Sequence, residues 1–429
     1  MEGTKVKTKF KVITLFSFLL ILSCFSKISA QKLNYEDLYS SSTVAIDADS
    51  SAILFNKNGD KKVYPASTTK IVTAIIAIEN MDLDTPITAS SNAIYSTPFG
   101  SSIIYLKVGE VMSLKNLLYG LLVKSGNDAA NVIGEAVSGD IDTFVELMNE
   151  KVKEIGCTNT HFTNTHGFHD DDHYTTASDM AKIMKYCLQN ETFKQIIQTQ
   201  KYTIEKTNKT GQQRILINTN KMFNKNYKDM YYEYIIGGKT GYTDEAQGTF
   251  VGYLKKDDKN IIVATFDAPQ YVGSNEARFL DTIKVSDYIF DDFNKNTIIA
   301  KDKFSFDVID KKNKKKYTIG LKNDIDTLSD NTVFRINYDI DNMLGKEFSL
   351  NDVAGTLNIK VKNSDNDFYL ENSYDLIVLG EEDYKYFNLY EHLGKIIFLL
   401  IIILLILIAI NKNYRKKSRK NSKKHKLYR

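Results

Sequence analysis

Three short stretches set nucleophilic, basic and small residues at spacings that can do chemistry: Ser67-Thr68-Thr69-Lys70, Ser125-Gly126-Asn127 and Lys239-Thr240-Gly241. "PASTTKIVTA" opens at Pro65 and reads as the first turn of a helix, because proline suits a position whose N–H would go unbonded anyway. On such a helix Ser67 and Lys70 share one face within a single turn. A capping box would put Glu or Gln three residues after the serine. This chain puts a lysine there, where the positive end of the helix dipole disfavours it. The placement has a chemical use. A serine hydroxyl is a poor nucleophile until a base takes its proton. Lysine is that base only if burial or nearby positive charge brings its pKa toward neutrality. A helix N-terminus pushes that way.

Each tripeptide or tetrapeptide alone is a weak signal. Ser29-Ala30-Gln31-Lys32 also fits S-x-x-K, Lys209-Thr210-Gly211 repeats K-T-G, and S-x-N recurs at Ser90 and Ser349. Taken singly, Ser67, Ser125 and Thr240 read as caps or turn residues. Context separates the copies. Ser67 and Lys70 fall at a helix start; Ser125-Gly126-Asn127 lies in "LLVKSGNDAANVIGEAV", a turn feeding an amphipathic helix; Lys239-Thr240-Gly241 ends the strand-like run "YIIGG". The copy at 209–211, in "KTNKTGQQR", has polar turn residues on both sides and reads as a hairpin tip.

The elements that must hold these residues follow from hydrophobic periodicity. "TVAIDADSSAILFNK" alternates like a hairpin around residues 48–51, and helical stretches follow Pro65, Ser113, Ser125, Asp140 and Ser178. Strand-like "YEYIIGGKTG", "GTFVGYL" and "KNIIVATF" come late, and "NEARFLDTIKVSDYIFDDF" reads as a closing helix. Strands at both ends with helices between predict an α+β domain over 31–295: one sheet assembled from distant pieces and flanked by helices. From "DFNKNTIIAKDK" onward the texture changes to short alternating strands and polar turns, a small all-β domain over 302–385 with no catalytic constellation.

With those contexts and in that order, the motifs resemble the active-site serine penicillin-recognising enzymes, and more finely the low-molecular-weight D-alanyl-D-alanine carboxypeptidases. "YPASTTKIVTA", "LLVKSGNDAAN", "THFTNTHGFHDDDHYTTASDMAKI", "NTNKMF" and "GGKTGYTDEA" look like that family's successive blocks, over roughly residues 35–295. The resemblance implies a β-lactamase/transpeptidase-like catalytic domain with an antiparallel sheet. It implies Ser67 as the acylated nucleophile, Lys70 as its base, and the N–H groups of Ser67 and Tyr242 as oxyanion donors. It further implies that Ser125 relays a proton to the leaving D-alanine and that Asn127 orients Lys70 and the peptide. Lys239 and Thr240 would hold the substrate carboxylate, and Gly241 would leave room for a backbone beside the strand. The implied partners are a peptidoglycan stem peptide and, as covalent inhibitors, β-lactams. No cofactor or metal is implied.

Rival readings remain open on the sequence. His161, His166, His169 and His173 with Asp170, Asp171 and Asp172 could ligate zinc, although no H-E-x-x-H pair is present and the run falls where the resembled family has a loop bordering its site. A class A-like β-lactamase would want an acid to activate the deacylating water, for which Asp179 is the candidate. A non-catalytic penicillin-binding sensor would need a signalling domain, and the short basic tail carries none.

Both ends read as export hardware. Lys5, Lys7, Lys9 and Lys11 precede an apolar run from Val12 to Phe25, and Ile28-Ser29-Ala30 makes a cleavage site, so 1–30 reads as a signal peptide, with an uncleaved signal anchor as the alternative. The run from Ile396 to Ile410 is uninterruptedly apolar and spans roughly 22 Å as a helix, against a hydrocarbon core of ~30 Å. Residues 394–411 are expected to cross the membrane, and the tail at 412–429, with its lysines and arginines and no acid, to stay cytoplasmic against anionic lipid. The stretch 31–394 carries a net −12, which argues against nucleic acid as a partner. The catalytic domain is thus expected outside the cell, facing the wall. Two cysteines, Cys157 and Cys187, survive signal cleavage; they are no disulfide framework and read as packing residues.

Overall fold

The computed structural model describes residues 33–310, 314–330, 335–342, 348–362, 369–384, 393–408, 410 and 412. Residues 1–30, expected to be a signal peptide, and all but the first residue of the basic stretch 412–429 lie outside the described residues. The chain falls into two compact units. The first comprises the described residues up to Lys303 with Lys322–Asp341 and Thr356–Asp375; the second comprises Phe304–Leu321, Asn342–Gly355 and the described residues from Leu376 on.

In chain order, the first unit begins with strands β1 (Ser42–Asp47) and β2 (Ile53–Lys57), then helix α1 (Lys70–Asn80). A short ladder of β3 (Pro86–Thr88) and β4 (Val111–Ser113) brackets α2 (Ser91–Tyr95). Helices α3 (Leu114–Leu122), α4 (Asn127–Ser138), α5 (Ile141–Glu154), α6 (Ala177–Cys187) and α7 (Glu191–Gln198) follow. The hairpin β5 (Lys201–Ile204) and β6 (Arg214–Ile217) precedes three long strands, β7 (Ile235–Thr243), β8 (Gln247–Lys256) and β9 (Lys259–Ala268), and then α8 (Ala277–Asp292). Strand β10 (Asn294–Ile299) pairs with β13 (Ile325–Ser329).

Strands from both ends of the unit meet in one antiparallel sheet, ordered β2-β1-β9-β8-β7. The hairpin expected at 48–51 is the β1–β2 turn, closed through Ser51 at φ +71°. The mixed α/β layout follows from the sequence pattern: alternation builds the strands, and the helical run between them covers the sheet.

Helix α1 is the centre of that cover, buried from Lys70 to Ala77 and touching α3, α4, α5 and α6. Its core is "IVTAIIAI", rich in β-branched residues that are indifferent helix formers. Burial on every side, rather than propensity, keeps it helical. Ser113 and Asp140 cap α3 and α5 with side-chain oxygens accepting backbone N–H bonds, as their positions suggested. Helix α6 is capped by Thr176, two residues before the serine read as its start.

The late β texture is present as β11 (Ser305–Asp310), β12 (Lys315–Leu321), β14 (Arg335–Asn342), β15 (Val353–Lys362) and β16 (Tyr369–Asp383). Within the second unit β12 pairs antiparallel with β11 and with the 376–383 part of β16. The apolar run near the C-terminus is helical over 393–408, with its large apolar side chains exposed. Among the described residues, no helix is long and apolar enough to cross a membrane.

Candidate active site

The segment read as one helix from Pro65 is two elements. Residues Ala66–Thr69 form a 3₁₀ turn, and the α-helix begins at Lys70. Ala66, the first residue of that turn, sits at φ +46°, a left-handed conformation that non-glycine residues rarely adopt. Thr68 Oγ1 donates to the Pro65 carbonyl at 2.7 Å and Thr69 Oγ1 to the Ala66 carbonyl at 2.9 Å. Ser67 is half-buried on this turn, and Lys70 Nζ lies 2.8 Å from its Oγ.

Lys70 is fully buried and donates to the His166 carbonyl at 2.7 Å. Burial first, and then the charge of Lys239, hold its pKa well below the usual lysine value; the buried carboxylate of Asp128 opposes them. A neutral Lys70 can therefore take a proton from Ser67.

Ser125 occupies the turn between α3 and α4, at φ +67°, with Gly126 N–H donating to the Gly120 carbonyl at 3.0 Å. Lys239 Nζ donates to Ser125 Oγ at 2.9 Å and to the Thr240 carbonyl at 2.7 Å. Lys239 is 1% exposed; burial, followed by the Arg278 charge, lowers its pKa to about 7. Asn127 is the first residue of α4, its N–H given to the Ser102 carbonyl at 2.7 Å. Its Oδ1 is buried without a partner, and Lys70 makes no hydrogen bond to it. The contact expected between Asn127 and Lys70 is taken instead by the His166 carbonyl.

Strand β7 ends the sheet order, and it brings Gly241 against the nucleophile turn. A Cβ on Gly241 would fall 2.7 Å from Ser67 N and 2.4 Å from Thr249 Oγ1, so only glycine allows this approach. Tyr242, the next residue, is exposed. Ser67, Lys70, Ser125, Lys239, Thr240 and Gly241 are thus linked by direct contacts or adjacency, with Asn127 two residues from Ser125.

Other participants carried little sequence signal. The His166 carbonyl acts through backbone, which no side-chain pattern reveals. Thr219, inside "NTNKMF", shares a 2.6 Å hydroxyl–hydroxyl hydrogen bond with Thr240 and gives its N–H to the Val123 carbonyl. Arg278 donates to the Gly241 carbonyl and pairs with Glu276, which Lys221 also meets at 2.6 Å. Its one signal is rarity: it is one of three arginines in 31–394.

The histidines do not gather. His173 and His166 are buried, His161 is exposed with Nδ1 on the Asp172 carbonyl, and His169 stacks edge-on against Tyr64. No group of three or more His, Cys, Asp or Glu is arranged to hold a metal among the described residues. Cys157 and Cys187 are free and buried, with burial raising both thiols, the first to about 12.

A serine beside a buried lysine, on a mixed α/β transpeptidase-like fold, defines a serine hydrolase that works through an acyl-enzyme. Residues 27–270 match the S11 peptidase model, described as D-alanyl-D-alanine carboxypeptidase, and the chain belongs to that family. The D-alanyl-D-alanine carboxypeptidase DacF of Bacillus subtilis is 31% identical over 301 residues, 69% of this chain and 73% of that protein. A crystal structure of a D-alanyl-D-alanine carboxypeptidase from Mycobacterium tuberculosis superposes with a TM-score of 0.55 at 26% identity, covering 62% of this chain and 95% of that one. Penicillin binding protein 5 from Haemophilus influenzae gives a TM-score of 0.63 over 81% of this chain and 98% of its own; at 24% identity that likeness speaks for the fold alone.

Proposed function

We propose that this serine peptidase removes the terminal D-alanine of peptidoglycan stem peptides through an acyl-enzyme on Ser67, and that β-lactams acylate the same hydroxyl. The observation that carries this reading is the 2.8 Å approach of Ser67 Oγ to a buried Lys70 with a depressed pKa. Ser67 Oγ attacks the carbonyl of the D-alanyl-D-alanine bond as its proton passes to Lys70. The N–H groups of Ser67 and Tyr242 stabilise the oxyanion. Ser125, 2.9 Å from Lys239, returns a proton to the leaving amine. Lys239 and Thr240 receive the substrate's terminal carboxylate, and the outer edge of β7, which pairs with no further strand among the described residues, lets an extended peptide lie alongside. Asn127 contacts the peptide through its amide. Water then hydrolyses the ester and frees Ser67.

The reading extends to location. The catalytic domain over 31–295 works outside the cell after export on the 1–30 segment, followed by the β domain over 302–385. The chain is held to the membrane by a helix over 394–411, with the basic tail at 412–429 cytoplasmic and against anionic lipid. Support comes from the apolar run Ile396–Ile410, its helical backbone over 393–408 and the charge step to the lysine-rich tail.

Full-length protein incubated with a diacyl-L-Lys-D-Ala-D-Ala peptide should release one D-alanine per peptide, with no loss on adding EDTA. Activity lost with EDTA and restored by zinc would move the chemistry to the histidines. For the topology, protease added to intact cells should digest the region before Glu391 and spare a tag placed after Arg429; a tag cleaved from outside overturns it.

A further inference from the structure

The loop from His161 to Thr175 touches the nucleophile turn at several points, and the hydrogen bonds among them fix a direction. Thr163 N–H donates to His173 Nδ1 at 3.0 Å, so the ring proton sits on Nε2. Nε2 therefore donates to Thr69 Oγ1 at 2.8 Å, and the Thr69 hydroxyl, left with one proton, gives it to the Ala66 carbonyl at 2.9 Å. Both His173 and Thr69 are buried, at 2% and 0% exposure, so water does not compete for these bonds. The chain of donors ends on Ala66, the residue at φ +46° that immediately precedes Ser67.

The same loop presses on that carbonyl from a second side. Gly167, at φ +84°, lies so close that a Cβ there would fall 1.8 Å from Ala66 O. Its neighbours hold the start of α1: the His166 carbonyl accepts from Lys70 and the Thr165 carbonyl from Thr73 Oγ1 at 2.6 Å. A left-handed alanine persists only where its surroundings over-determine it, and here those surroundings are identified.

We propose that His173 is a positioning residue for the nucleophile: through Thr69 it holds the Ala66 carbonyl, and with it the backbone that aims Ser67 Oγ at Lys70. The histidine touches no reacting atom. Burial, the largest influence on it, lowers its pKa to about 3, which keeps the ring neutral and the direction of the donor chain unchanged at any working pH. A buried histidine in a strongly polar loop, suggestive of a metal ligand, is here a brace for the catalytic turn.

The proposal rests on Ser67 as the nucleophile, and its test separates the two. Full-length wild type, Thr69→Val, Thr69→Ser, His173→Gln and the Thr69→Val/His173→Gln double variant are compared by benzylpenicillin acylation rate, kcat and KM for D-alanine release, and melting temperature. Displacement of a reacting group by about an ångström costs ~10²-fold. Thr69→Val and His173→Gln should each lower the acylation rate and kcat by ~10- to 100-fold per folded molecule, with KM changed less than twofold. Thr69→Ser, which keeps the hydroxyl, should recover to within about threefold of wild type. The double variant should be no slower than the worse single one, because both changes cut one chain. A packing role alone would lower the melting temperature and leave acylation per folded molecule unchanged, and that result overturns the proposal. So do losses that multiply in the double variant, or a serine variant as slow as the valine one. If His173→Gln does not fold, the Thr69 pair decides alone. Wild type that takes no label on Ser67 overturns the assignment of the site, and the brace with it.

Discussion

The chain contains the tripeptide Lys-Thr-Gly twice, and the two copies share no physical property beyond their sequence. Lys239 is 1% exposed on the edge strand β7, its ammonium on Ser125, while Lys209 is exposed in the loop of the β5–β6 hairpin. Thr240 shares a hydrogen bond with Thr219; Thr210 accepts from Arg214 at 3.2 Å, beside the buried Glu110–Arg214 ion pair. Gly241 lies against the backbone of Ser67, whereas a Cβ on Gly211 would meet open space. Chemistry belongs to the strand register that sets Gly241 against the nucleophile turn, and the letters alone do not carry it.

Substitution in pairs is the direct way to break that contrast, and the lysines should show the largest effect. Lys239→Ala removes both the carboxylate's partner and a positive charge that helps keep Lys70 neutral, so kcat/KM for D-alanine release should fall ~10³-fold or more, the range typical of lost electrostatic stabilisation in a closed site. Lys209→Ala should stay within twofold of wild type in the same assay. Equal losses, or reversed ones, would mean that the wrong copy faces the substrate.

The glycines come next. Gly241→Ala must displace Ser67 N or Thr249 Oγ1, and a shift of that size should slow benzylpenicillin acylation ~10²-fold. Gly211→Ala should leave the rate unchanged. A Gly241→Ala protein that acylates normally would show that the close approach of β7 to the turn is dispensable.

The pH profile sharpens the contrast from the side of charge. Acylation needs Lys70 neutral, so the rate falls as pH drops through its depressed pKa. Carboxylate binding needs Lys239 charged, and with its pKa at about 7 in the free protein kcat/KM should fall as pH rises past that value. The two lysines interact, so the limbs report the pair. Arg278→Gln removes a positive neighbour, which raises the Lys239 pKa and should move the alkaline limb upward by roughly one unit. A limb that stays in place would detach Arg278 from the site's electrostatics.

The smallest effects are expected at the threonines. Thr240→Val should cost ~10-fold in kcat/KM, about the worth of one hydrogen bond to a charged group. Thr210→Val should leave activity intact and lower stability by ~0.5–1.5 kcal/mol through the lost acceptor for Arg214, read as a shift in denaturant midpoint.

What the sequence made legible was local chemistry with a positional signature. Ser113 and Asp140 marked helix starts because their side chains accept N–H bonds there, and alternation marked β1, β2, β8 and β9. The polar flanks of Lys209 separated it from Lys239 without any structure. Other features left no such trace. The left-handed Ala66 and the 3₁₀ turn arise from contacts with a loop about a hundred residues away, and an alanine gives no warning of positive φ. The His166 carbonyl has no side-chain identity to read. Asn127 was expected on Lys70 because the family resemblance implied it, yet its place at the head of α4 leaves Oδ1 unpartnered. Local pattern thus found the residues, and long-range contact decided which of them touch.

The central claim is that Ser67 is the one hydroxyl this protein acylates. Full-length protein treated with benzylpenicillin, digested and mapped by mass spectrometry tests it most directly. The expected result is a single adduct of one penicilloyl group on the peptide containing Ser67, absent from Ser67→Ala protein that still melts cooperatively. An adduct on another serine, or labelling that survives Ser67→Ala, would contradict the assignment.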